Sequence, residues 1–123
     1  MTVIEAINKI DSIKPNTYTQ LEKIGWLSTL DGNIKNDIID THEGADNKPF
    51  NGYDEESLNE ELLVPAPYDV LYIRWLEAQI DYANGEYGKY NNSMSMFNTE
   101  HEAFANYYNR TNMPLSRGSR FLF

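Results

Sequence analysis

No cysteine occurs among the 123 residues. Disulfide staples, thiolate nucleophiles and cysteine-ligated zinc are excluded with it, which fits an intracellular product. Cations are scarce: ten Lys and Arg stand against nineteen Asp and Glu, a net charge of −9. Holding nucleic acid by neutralising phosphates requires clustered Lys and Arg, so that class is excluded. Two other relations to DNA remain compatible, mimicking it or lining a passage to which it must not stick, and solubility alone is the plain alternative. No apolar run approaches the roughly 18 residues of a membrane span. The opening Met1-Thr2-Val3-Ile4-Glu5 has neither a basic leader nor a cleavage site, so no secretion signal is expected. Glycine-rich phosphate loops and a Ser-His-Asp order are missing as well. The acid pairs Glu55-Glu56 and Glu60-Glu61 are sequence neighbours, as in solvated loops. An enzyme is not expected, and no cofactor or metal is called for.

What is present is helical periodicity, and its centre is the stretch from Pro67 to Asn109. Tyr68, Leu71, Tyr72, Trp75, Leu76, Gln79, Tyr82 and Ala83 fall on one broad side of a helical wheel, widened by Ile73 and Ile80. Arg74, Glu77, Asp81 and Asn84 form a narrow polar strip. A helix apolar over most of its circumference needs neighbours on several sides, so this one is expected at the centre. After Gly85 and Gly88, a second run places Tyr87, Tyr90, Met94, Phe97, His101, Phe104, Ala105 and Tyr108 on one stripe.

Upstream, Thr2-Val3-Ile4-Glu5 and Thr19-Gln20-Leu21-Glu22 both have the Thr-x-x-Glu spacing of a capping box. Val3, Ile7, Ile10 and Lys14 share a face of the first helix, which Pro15-Asn16 ends. Ile24, Leu27, Leu30, Ile34 and Ile38 step by three and four along a second helix reaching about Thr41. Asp31-Gly32-Asn33 is turn-like, but the stripe keeps phase across it, so the helix is read as continuous. Residues 42–64 are rich in breakers and acids and read as a long acidic loop. Leu62-Leu63-Val64 is a short extended piece, and Pro67 is placed as the first residue of the central helix, with Asp69 in its first turn. The fold class is therefore all-α: a small bundle of about four helices over residues 1–113, with the acidic loop, and an extended basic and aromatic tail over 114–123.

Asp40, His42, Glu43 and Asp46 bring four possible metal ligands together without any metal-binding spacing, and the loop fails the calcium-hand template because Pro49 falls on a ligand position. They read as an exposed acidic loop. A hydrolase with a metal at Asp40 and His42 is the corresponding active-site alternative. His101 reads as a core or interface residue. Asn84, Asn91, Asn98 and Asn109 line one flank of the late helices. The plain reading is a solvated edge. The functional one is a polar seam against a neighbouring subunit, with Asn84, Asn91, Asn98, Tyr90 and Tyr108 at the interface.

Short helices, a long loop, a Pro-started helix carrying Tyr72-Ile73-Arg74-Trp75-Leu76-Glu77, a final aromatic helix and a basic tail resemble the head–tail connector (adaptor) proteins of tailed bacteriophages. The segments from Ile80 to Asn91 (IDYANGEYGKYN) and from Tyr107 to Pro114 (YYNRTNMP) are similar to small neck proteins of phages infecting Gram-positive bacteria. The resemblance implies a helical bundle that forms a homo-oligomeric ring, a dodecamer, beneath the portal protein. It implies residence in the virion neck after assembly in the host cytoplasm, DNA passing through without specific binding, and no membrane. It further implies that Arg117, Arg120, Phe121, Leu122 and Phe123 dock on the portal, with Arg110, Met113 and Pro114 as a hinge. Asp54, Glu55 and Glu56 then face the lumen or the rim that meets the next neck or tail-completion protein. The rival expectation is a small acidic DNA mimic that inhibits a host nucleic-acid-binding protein.

Overall fold

The computed structural model describes residues 1–42 and 49–112. Four helices make up the bundle: α1 (Val3–Ile13), α2 (Gln20–Asp37), α3 (Val70–Ala83) and α4 (Tyr87–Thr111). Short 3₁₀ turns occur at Ile39–Thr41 and Glu55–Ser57. No strand is present among the described residues; an isolated antiparallel bridge joins Thr2 to Glu61. The fold class is thus all-α, as the periodicity requires.

Both capping boxes form. The Thr2 hydroxyl accepts the Glu5 N–H at 3.2 Å and the Glu5 carboxylate accepts the Thr2 N–H at 2.8 Å. Thr19 and Glu22 repeat the exchange at 3.1 and 3.0 Å. Each box satisfies donors that a helix start otherwise leaves bare. Val3, Ala6, Ile7 and Ile10 are the buried face of α1, and Ile24, Leu27, Leu30 and Ile34 that of α2. Fully burying each Leu or Ile side chain contributes about 1.5–3 kcal/mol. α2 runs unbroken through Asp31-Gly32-Asn33 but stops at Asp37; the residues up to Thr41 tighten into a 3₁₀ turn. There the Thr41 hydroxyl donates to the Ile38 carbonyl at 2.7 Å.

α3 is central. Its buried residues Leu71, Tyr72, Ile73, Leu76, Ala78, Ile80 and Asp81 surround the helix axis, and it packs on α1, α2 and α4. Its start differs from the sequence reading. Pro67 belongs to a preceding turn whose Ala66–Pro67 peptide is cis, and the Tyr68 N–H returns to the Pro65 carbonyl at 3.0 Å. The first α-helical residue is Val70. Gly85, at φ +77°, reverses the chain into α4. The two helices lie antiparallel: Tyr68 stacks on Tyr107 at one end (4.8 Å) and Tyr82 meets Tyr87 and Tyr90 at the other (5.5 and 5.2 Å).

The described part of the acidic loop is built into the body. The carbonyls of Glu60 and Leu58 accept the N–H groups of Val3 and Ile4 at 3.0 and 2.9 Å, and Leu62 donates to the Met1 carbonyl at 2.9 Å. The loop therefore closes the open donor end of α1, and Leu62 and Val64 enter the core. Gly52 takes φ +87°, where a Cβ would stand 2.7 Å from the Ser28 hydroxyl; that hydroxyl accepts the Tyr53 N–H.

Candidate functional site

A polar knot pins the loop to the helices. Asp31, fully buried on α2, accepts hydrogen bonds from the Tyr53 hydroxyl (2.5 Å), the Tyr72 hydroxyl (2.6 Å) and the Leu63 N–H (3.1 Å). The Tyr72 oxygen in turn accepts the Val64 N–H at 2.9 Å. Burial pushes the Asp31 carboxyl above its ordinary range, against the three hydrogen bonds that favour its charge. Both phenols are pushed up, first by burial and then by the adjacent Asp31 charge, so they remain protonated donors. The knot has no open face for a substrate; it is a fastening. It was legible in part, because Asp31 falls on the apolar stripe between Leu27 and Ile34, where a carboxylate requires buried donors.

A second buried acid corrects the wheel. Asp81, placed on the polar strip of α3, is 1% exposed and accepts from the Ser93 hydroxyl at 2.9 Å. Its other oxygen, which lacks a hydrogen bond, lies 2.7 Å from the Lys14 ammonium. The signal for such a partner was Lys14, in phase with Val3, Ile7 and Ile10 in the sequence and, in the structure, the residue that ends α1. With Asp81 turned inward, Tyr82 turns outward and is 57% exposed, although the wheel had put it on the covered side.

The sequence-selected residues divide into three groups. Asn84 and Tyr108 are engaged within the subunit. Asn84 accepts from the Tyr18 hydroxyl at 2.6 Å, and Tyr108 sets its ring edge-on to His42 at 4.7 Å. Asn109, on the same expected flank, is tied to His42 as well. A carbonyl only accepts, so His42 Nδ1 carries the proton toward the Ile38 oxygen (2.6 Å), while Nε2 lies 2.7 Å from the Asn109 side-chain amide. Asp40 meets Lys35 at 2.5 Å in an open depression of about 380 Å³ between α2 and Phe50. Asp40 and His42 are engaged in these local ties, while Glu43 and Asp46, the other two candidate ligands, lie outside the described residues. No group of three or more acids or histidines that could hold a metal occurs among the described residues. His101 is half-buried against Phe97 at 5.5 Å, and burial lowers its pKa.

The second group is exposed. Asn91 and Asn98 lie on the outer side of α4, with Tyr90 half-buried beside Tyr82. Asp54 caps the 3₁₀ turn by accepting from the Glu56 N–H and the Ser57 hydroxyl, while Glu55 and Glu56 project outward. Arg110 is exposed in the last turn of α4. The third group, Met113, Pro114, Arg117, Arg120, Phe121, Leu122 and Phe123, lies outside the described residues.

The exposed surface that results is aromatic. Tyr82 and Tyr87, 57% and 60% exposed, touch ring to ring beside Tyr90. From Tyr87 an exposed strip continues through Asn91, Ser95 and Asn98 at helical spacing. No helix among the described residues is long and apolar enough to cross a membrane. The fold and this surface define an all-α protein, with four α-helices among the described residues and an open tyrosine end. No protein-family model, curated protein or solved structure matches the chain.

Proposed function

We propose that this chain is a structural protein of the bacteriophage neck, a head-to-tail connector. Copies form a ring under the portal protein, extend the DNA channel and offer an attachment surface to the next neck or tail protein. It performs no catalysis. The observation that carries this reading is the division of charge along the chain. All nineteen acidic residues precede Met113, whereas the segment from Met113 to Phe123 has two arginines, no acid and a Phe-Leu-Phe run. An acidic wall repeated around a ring repels the phosphate backbone of passing DNA. A basic, aromatic segment gains affinity by burying its rings in a larger particle, and repetition around the ring adds avidity. The phrase resemblance in α3 and α4 points the same way.

The test is removal of residues 114–123. The shortened protein should keep the helical circular dichroism of the full chain and lose capture by purified portal particles. Undiminished portal binding by the shortened chain would sink this reading.

A further inference from the structure

Charge is unevenly neutralised over the body. Between Arg74 and Thr99 every acid has a cation beside it: Glu77 meets Arg74 at 3.2 Å, Asp81 meets Lys14 at 2.7 Å and Glu86 meets Lys89 at 3.1 Å. Elsewhere Asp37, Glu55, Glu56, Glu60 and Glu102 are exposed and make no ion pair among the described residues. The tyrosine end and the strip above it thus form an electrically balanced surface on an otherwise acidic protein. Charge depletion together with tyrosine is the composition of an interface core.

We infer that a second copy of this chain seats on Tyr82 and Tyr87 and on the Asn91–Ser95–Asn98 strip of α4. Two bodies this acidic repel wherever their unpaired carboxylates face each other. The stretch from Tyr82 to Asn98 carries none, and the first on the α4 strip, Glu102, stands one helical turn beyond Asn98. A basic partner, by the same reasoning, is drawn to the carboxylates of the loop and of the last turns of α4. The tail of a neighbouring copy, with its two arginines, belongs to that second class. The proposal rests on the connector reading only in that a ring needs such a contact between copies. It corrects the expected seam as well: Asn91, Asn98 and Tyr90 remain in it, Tyr82 and Tyr87 join it, and Asn84 and Tyr108 leave it.

Sedimentation of the full chain over a wide concentration range tests this without portal. The wild type should associate, and Tyr82→Ser with Tyr87→Ser should weaken association about thirtyfold, the scale of an interface hot spot. Both rings are more than half exposed, so an unchanged circular dichroism spectrum is expected of the variant. Asn91→Asp with Asn98→Asp adds like charge to the same strip, and its defect should be partly restored by salt. A wild type that stays monomeric at millimolar concentration overturns the inference, as does undiminished association of the tyrosine variant. Association lost on removing residues 114–123 but kept in the tyrosine variant overturns it too, by identifying the tail as the occupant. Portal capture is a separate readout, so a failed tyrosine variant that still binds portal leaves the connector reading standing.

Discussion

Tyr72 and Asp31 meet across the core with hydroxyl and carboxylate 2.6 Å apart, and the same hydroxyl receives the Val64 N–H at 2.9 Å. One phenol oxygen thus ties α3 to α2 and also to the end of the acidic loop. That loop supplies the carbonyls that close α1, so all three helices depend on one buried contact.

The knot should rank its members by how many donors each substitution strands. Asp31→Ala leaves two phenols and the Leu63 N–H without an acceptor, and should cost about 3–5 kcal/mol. Tyr72→Phe strands the buried Val64 N–H and should cost about 1–3 kcal/mol. Tyr53 is only half-buried, so Tyr53→Phe should cost about 1 kcal/mol or less. Urea unfolding followed by circular dichroism measures all three. Equal losses from the two tyrosine changes would show that the Val64 link carries no weight.

Acid should act on the helix starts and on the knot in opposite directions. Backbone N–H bonds from Thr2 and Thr19, then their hydroxyls, hold Glu5 and Glu22 below their ordinary 4.5. A carboxyl depressed by folding adds stability above its unfolded pKa and loses it as pH falls through the folded value. Asp31 is raised above 3.8 by burial, so its charge opposes folding at neutral pH, and protonation relieves that penalty on the way down. The thermal-stability gap between wild type and a Glu5→Gln, Glu22→Gln variant should therefore be open at neutral pH and close below about pH 4. A gap of constant size down to about pH 3 would show that the carboxylate charge at the caps contributes nothing.

What the sequence revealed of this fold follows from what periodicity can register. The Thr-x-x-Glu boxes are local, four residues long, and both formed as read. The Ile24–Leu27–Leu30–Ile34 stripe kept α2 whole through a turn-like triplet, because core packing on that stripe outweighs the weak propensity of Asp, Gly and Asn. The circumferential burial of α3 was legible from its composition alone. The rotation of its last turn was not. A wheel assigns Asp81 to water and Tyr82 to the core by polarity, whereas an ammonium arriving from α1 and a hydroxyl from α4 reverse the two. The order of the acidic loop was hidden for the same reason, since the carbonyls of Leu58 and Glu60 that cap α1 bear no side-chain signature. Of the expected seam, Asn91 and Asn98 came through as exposed, while Tyr18 and His42, distant in sequence, had taken Asn84 and Asn109.

The Lys14–Asp81 pair separates a stabilising interaction from one that is merely required. Asp81 is nearly sealed from solvent, while Lys14 keeps a quarter of its side-chain surface exposed. Lys14→Met removes the only cation within ion-pair distance of Asp81 among the described residues and leaves a carboxylate held by the Ser93 hydroxyl alone. The loss should approach the lower end of the 3–5 kcal/mol range for a broken buried pair, because water reaches the lysine side. Replacing both residues with apolar ones, Lys14→Met and Asp81→Leu, should recover most of that loss, since no buried charge then remains to be desolvated. Urea unfolding of the two single variants and the double variant completes the cycle. A double variant less stable than either single one would mean that the pair adds net stability, and that the Lys14 ammonium at the end of α1 does more than neutralise a charge α3 could not place outside.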